Sequence, residues 1–192
     1  MTHPQVVAAA AGKLPPWARI SAKRRRHVRR VVELLATWAD VAAVSPEERT
    51  RWLAAGWLHD ALKDADNRTL KRFLGKGDRK LPAAVLHGPA AAAALRGEGV
   101  EDEELLRAIA FHSLGHPDFG RTGKILYAAD FLEPGRENDR VWRKKLRARM
   151  PGKLDPVVQE IVRARIEYLL RKGRSIRPET AEFWNRMARG GG

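Results

Sequence analysis

Four histidines and two aspartates of this chain fall at or near the ends of apolar helical segments: His27, His59, Asp60, His87, His112 and Asp130. The stretch "GWLHDALKDAD", Gly56 to Asp66, shows the pattern at its densest, a histidine directly before an aspartate after a tryptophan-rich run. A charge placed next to apolar surface is expensive unless it is paired or ligated, so Asp60 and Asp130 each need a partner. The histidines lie on four different segments, and helical bundles build metal sites from side chains on facing helices. Imidazole and carboxylate donors suit iron, manganese or zinc. With no cysteine in the chain, a metal must be held by His, Asp or Glu. A single histidine of this kind is also compatible with a structural role, and a buried aspartate with an arginine partner. Spacing alone leaves both readings open. The two remaining histidines, His3 and His116, lie in terminal or loop-like sequence.

The elements that would position these groups are helices throughout. Val28, Val31, Val32, Leu34, Leu35 and Trp38 recur at helical spacing and predict a helix over 21–40, with the arginines around His27 largely on other faces. "SPEER" from Ser45 reads as a serine cap, a first-position proline and two first-turn glutamates, starting a helix that runs to about His59. Neighbouring helical side chains point about 100° apart. Both members of the pair at 59 and 60 reach one cluster best where the helix ends and the backbone bends.

Further helices are expected over 67–74, on both sides of an interruption at Gly88-Pro89, over 102–112 with Gly115 as stop, and through "RTGKILYAAD" until Pro134 and Gly135. Asp155 is expected as the cap of a helix with Pro156 in its first position and Gly173 as its stop, before a last helix in "RPETAEFWNRM". No period-2 strand pattern is present, so the fold class is all-α. The six tryptophans mostly occupy apolar helical positions and read as core.

The 192 residues suit one domain, expected over 21–189 behind a flexible extension at 1–20 and before a disordered tail at 190–192. No run approaches the roughly eighteen apolar residues of a membrane span, and the amino end has no basic residue before its short apolar run. The chain is therefore expected to be soluble and cytoplasmic. The net charge of +14 points to an anionic partner: nucleic acid, a polyphosphate or an acidic surface. The basic stretch from Arg136 to Lys153 fits a solvated helix face or mobile loop better than a dedicated binding surface.

The order His27, His59-Asp60, His87, His112 and Asp130 resembles the HD-domain metal-dependent phosphohydrolase superfamily in its six-ligand, two-metal form. "HDALK", "HGPAAA", "HSLGHP" and "YAADFLEPGR" together are similar to the bacterial HD-type symmetrical diadenosine tetraphosphate hydrolases, and "TAEFWNRM" to the end of that family. The resemblance implies a helical bundle with a dinuclear site in its core, splitting diadenosine tetraphosphate into two ADP. It implies iron as the metal, with manganese or zinc as alternatives. His27, His59, Asp60 and Asp130 would form the core site, Asp60 bridging the metals, and His87 and His112 would complete the second metal. Lys63 and Arg136 match residues expected at the phosphates. Where the family carries an arginine after the fourth histidine, this chain has His116, placed with Lys63 and Arg136 in the substrate site. On position alone, Lys63 could equally form a surface ion pair and Arg136 could be plain surface.

Two other readings stand beside this one: an HD-type phosphohydrolase acting on another nucleotide or phosphoester, and a basic helical RNA-binding module with structural histidines. The placement of charge separates enzyme from binding module. The module needs arginines and lysines contiguous on one face, whereas the enzyme needs them ringed around a metal cleft.

Overall fold

The structure is a computed structural model and describes residues 2–75 and 81–190. Among these residues it forms ten α-helices and no strand. They are α1 (Pro4–Ala10), α2 (Ala22–Val41), α3 (Pro46–Leu58), α4 (Asn67–Phe73), α5 (His87–Gly97), α6 (Glu103–Phe111), α7 (Arg121–Leu132), α8 (Arg140–Ala148), α9 (Leu154–Arg171) and α10 (Pro178–Ala188). Residues 191 and 192 of the expected tail lie outside the described residues.

The axis of the fold is α7. Nearly every residue from Ile125 to Leu132 is buried, as expected of a helix that is apolar all round and must be enclosed on every side. It packs against α2, α3, α6, α8 and α9. Truncating one of its fully buried leucines, Leu126→Ala, is expected to cost about 2–5 kcal/mol. In α2, His27 continues the buried stripe of Val28, Val31, Leu35 and Trp38, so the polar imidazole sits at one end of an apolar face. Ser21 caps that helix by accepting from Arg24 N at 3.2 Å, and Ser45 caps α3 by accepting from Glu48 N at 3.2 Å. The carboxyl-terminal helix braces the site from outside: Thr180 Oγ1 donates to Leu114 O at 2.8 Å, and Phe183 packs on Tyr127 and Phe119.

Four features differ from the sequence reading. The break expected at Gly88-Pro89 lies further upstream, because a proline in the first turn of a helix lacks only an N–H that would have no partner there. A short 3-10 turn at Ala83–Val85 precedes α5, which starts at His87. Helix α9 starts at Leu154 rather than after Asp155. Within the segment expected as a flexible extension, Pro4–Ala10 is helical and buries Val6 and Ala9, with α1 packed against α3. Of the six tryptophans read as core, Trp38 and Trp52 are buried in it, Trp17, Trp142 and Trp184 are half-buried and packed against it, and Trp57 is half-buried.

Candidate metal centre

Helix α3 ends at Leu58, and His59, still in helical conformation, leads into a run of turns. Arg19 N donates to Ala61 O at 2.7 Å and Asp64 N to Arg19 O at 3.1 Å, fastening those turns to the segment before α2. Ser21 N also donates to Asp64 Oδ2, at 2.7 Å. Because Ser21 is the cap of α2, the contacts that hold the His59-Asp60 turn also set the start of the helix that carries His27.

His87 and His112 are brought together by the packing of α5 on α6. A Cβ at Gly88 would lie 2.7 Å from Ala110 O and 2.8 Å from Ile109 O. Glycine is what permits this approach, and it leaves His87 Nε2 3.1 Å from His112 Nε2. After α6 the chain turns at Gly115, with φ +81°, a conformation in which glycine carries no Cβ penalty.

Asp60 lies between the two groups of histidines, and each of its oxygens serves one group. Oδ2 is 3.5 Å from His59 Nε2 and 3.6 Å from His27 Nε2, whereas Oδ1 is 3.1 Å from His87 Nε2 and 3.5 Å from His112 Nε2. The donor atoms of His27, His59 and Asp60 all lie within 4.8 Å of one another, and so do those of Asp60, His87 and His112. Asp130 Oδ1 stands 3.1 Å from His27 Nε2, beside the first triad. All six residues are buried.

The hydrogen bonds on the far side of three rings fix which nitrogen faces the cluster. Nδ1 of His59 donates to Gly56 O at 2.7 Å, Nδ1 of His112 to Ile109 O at 2.8 Å, and Nδ1 of His27 to Glu133 Oε1 at 3.2 Å. Carbonyl and carboxylate oxygens only accept, so the proton sits on Nδ1 and the Nε2 lone pair is turned inward. Burial pushes His59 and His87 down to about 4, which keeps both neutral at pH 7. Asp60 is held well below the usual carboxylate range: burial would raise it, but His59, His112 and His87 outweigh that effect. Asp130 is depressed likewise against its burial, chiefly by His27 and Arg136.

The buried Nε2 atoms of His27 and His59 have no hydrogen-bond partner. His27 Nε2 faces both Asp130 and Asp60, and a lone pair set against two carboxylates is repulsive unless a positive charge intervenes. Burial would lower the pKa of His27, yet Asp130 and Glu133 raise it, which expresses that need for a cation. The donor set therefore fits a metal: inward lone pairs, anionic oxygens and no thiolate.

The expected substrate residues are placed unequally. Lys63 is half-buried, with Nζ 3.4 Å from His87 Nε2 and 3.4 Å from Ala84 O. Arg136 grips Asp130 through Nη2 to Oδ1 at 2.6 Å and Nε to the backbone carbonyl at 2.9 Å. His116 has other company: its ring lies on Phe111 with centroids 4.5 Å apart, and its Nδ1 accepts from Asp118 N at 3.1 Å. Sequence reasoning missed Arg24, whose Nη1 is 2.8 Å from Asp60 Oδ2, and Glu133, which binds both His27 and Arg30. Both were findable. Arg24 lies one turn before His27 on the same helix, and Glu133 is an acid at the end of an apolar helix, the argument already applied to Asp130.

The HD domain family model matches residues 24–174 of this chain, a span that contains every residue of the cluster. The chain belongs to the HD domain family. By that membership it is a metal-dependent hydrolase. This HD domain protein is 31% identical over 169 residues to a protein of Staphylococcus aureus named bis(5'-nucleosyl)-tetraphosphatase, symmetrical, covering 85% of this chain and 86% of the relative. It is also 31% identical over 167 residues to the protein of the same name from Halalkalibacterium halodurans, covering 81% and 86%. The crystal structure of a predicted HD superfamily hydrolase involved in NAD metabolism, from Clostridium acetobutylicum, superposes with a TM-score of 0.75 at 27% identity, covering 89% of this chain and 92% of the other. Among the described residues no helix is long and apolar enough to cross a membrane.

Proposed function

We propose that this HD domain protein is a cytoplasmic symmetrical bis(5'-nucleosyl)-tetraphosphatase that splits diadenosine tetraphosphate into two ADP at a dinuclear metal site. The observation that carries the reading is Asp60, whose two oxygens each face a different pair of histidines. A carboxylate so placed could serve two metals, one that His27, His59 and Asp130 would hold and one that His87 and His112 would hold. The names of the two relatives at 31% identity support the substrate. The metal, iron in this reading, supplies when bound an activated water at neutral pH and stabilisation of the charge that develops on the attacked phosphate.

The rest of the work falls to the chain itself. Gly56 O, Ile109 O and Glu133 hold the rings of His59, His112 and His27 in one tautomer and orientation, as outer partners of metal-bound histidines do. Lys63 stands at the rim beside His87 as a point charge for a phosphate oxygen. Arg136 orients Asp130 through two of its nitrogens, and its Nη1 has no hydrogen-bond partner among the described residues, so it can donate to the phosphate chain. Arginines ring the cluster: Arg24 meets Asp60, Arg30 meets Glu133 and Arg136 meets Asp130. This is the placement of charge expected of an enzyme rather than of a nucleic-acid-binding face.

The test is to purify the protein without a histidine tag, count iron, manganese and zinc per chain, and resolve the nucleotides formed from diadenosine tetraphosphate. About two metals per chain, with ADP as sole product, are expected. Both should be lost in His59→Ala and in Asp60→Ala. Metal without this activity would leave the family in place and overturn the substrate.

A further inference from the structure

Beyond the metal cluster, a groove of ≈ 780 Å³ is lined by the end of α7, the loop after it, α8, α9 and the segment just after α9. That is within the range of about 300–1,000 Å³ typical of small-molecule sites. Two of its residues connect it to the cluster. Arg136 holds Asp130 beside the first triad. Arg165 donates to Ser113 O at 2.5 Å, and the hydroxyl of Ser113 lies 3.0 Å from His112 Nε2 in the second triad. A chain of phosphates leaving the cluster between Asp130 and His112 would meet both guanidinium groups.

The groove carries six arginines against three carboxylates. Two of the three carboxylates are already engaged, Glu167 by Arg163 at 3.0 Å and Glu160 by Arg149 at 2.5 Å. Arg171 and Arg174 have no carboxylate within ion-pair distance among the described residues, so the groove holds uncompensated positive charge. It also holds aromatic surface: Trp142 is half-buried, and Tyr168 is 45% exposed. Open ring surface next to unpaired arginines offers a base something to stack on and polyphosphate a counter-charge.

We propose that the groove between α8 and α9 seats one nucleoside diphosphate half of the substrate, its phosphates passing Arg136 and Arg165 and its base lying against Trp142 or Tyr168. The proposal rests on the reading of the cluster as a dinucleotide hydrolase, and it adds where half of that ligand is held. Contiguity with the cluster favours a nucleotide over an RNA strand, since the inner end of the groove meets residues that hold the candidate ligands.

Calorimetric titration of ADP and of inorganic diphosphate into the metal-loaded protein tests it. In the charge reversal Arg171→Glu/Arg174→Glu, at two exposed positions, ADP affinity is expected to fall by about tenfold or more, the scale of a lost charged contact. In Trp142→Ala or Tyr168→Ala, ADP affinity should fall while that for diphosphate, which has no base, stays within about twofold. The charge reversal is read separately because loss of Trp142 also removes its packing on Phe131. Unchanged ADP affinity in the charge reversal would overturn the proposal. So would a short single-stranded RNA that loses binding there while ADP does not. A protein that releases no ADP from diadenosine tetraphosphate but shows these ADP dependences would overturn the function and keep the groove; symmetrical cleavage with unmoved affinities would do the reverse.

Discussion

Glu133 Oε1 meets His27 Nδ1 at 3.2 Å, across the ring from the nitrogen that faces Asp60 and Asp130. Glu133 is 2% exposed and accepts in addition from Arg30 and, at 2.7 Å, from Gly135 N, so its position is fixed from three directions. It is a positioning residue: it orients a candidate ligand without being one. Glu133→Gln keeps the shape and removes the charge. Metal affinity is expected to fall by about 10–100-fold, the usual effect of losing such a partner. A chelator competition titration measures it, and added metal should restore much of the activity.

Gly88→Ala sets two effects against each other. Alanine in a helix is favoured over glycine by about 1 kcal/mol. The new Cβ would press on two backbone carbonyls of α6, which cannot swing away as a side chain can. Overpacking of this kind costs about 1–3 kcal/mol, so a net loss of stability is expected. Urea unfolding reads the stability. Metal content should drop as well, because separating α5 from α6 moves His87 away from His112.

Lys63→Met separates a phosphate contact from a surface ion pair. Burial lowers the pKa of Lys63, opposed chiefly by Asp60, which marks a partly desolvated ammonium group. A charged hydrogen bond in such a place is worth about 1.5–3 kcal/mol. The expected outcome is a rise of roughly ten- to a hundredfold in KM for diadenosine tetraphosphate with metal content unchanged. A surface ion pair would move KM by far less.

The metal-free protein should lose stability as pH falls from 6.5 towards 4. His59 and His87 titrate near 4 when folded but at 6.5 when unfolded, so within that window the unfolded chain binds protons that the folded one refuses. Each imidazole contributes a slope of about 1.4 kcal/mol per pH unit. His27 acts in the opposite sense: its folded pKa is raised, so its contribution is present below 6.5 and lost as pH rises through the folded value. Glu133, depressed to about 2 from 4.5, adds a second loss from pH 4.5 downward. Urea midpoints in chelator between pH 7 and pH 4.5 should decline, with two opposing imidazoles exceeding one.

Much of this arrangement was legible in the residues, for identifiable reasons. Helix ends carry their signals locally, so the start of α2 near Ser21, the serine cap of α3 and the stop at Gly115 could be placed from the sequence alone. A charge at the end of an apolar run needs a partner wherever the chain goes, and that argument singled out Asp60 and Asp130. It was not carried on to Glu133, the acid that follows the end of the same apolar helix and meets the same His27. The groove was illegible for another reason. Arg136 pointed to the phosphates only through the resemblance, Trp142 read as core and Arg165 carried no signal of its own, and only the packing of α8 and α9 against the end of α7 gives the three a common space. Pro89 misled because its place in a first turn depends on where the helix begins.

The six clustered residues all come from positions 27–130, whereas the residues lining the α8–α9 groove come from 131–174. The candidate ligands and the groove are thus written in successive lengths of one gene, joined by Glu133 and Arg136, which lie in the later length and orient ligands carried by the earlier one. Substitutions accumulating beyond Arg136 can redirect such a protein from one nucleotide to another while the ligands and the two residues that orient them stay untouched, and a graft of residues 137–174 between relatives is expected to transfer preference without transferring chemistry.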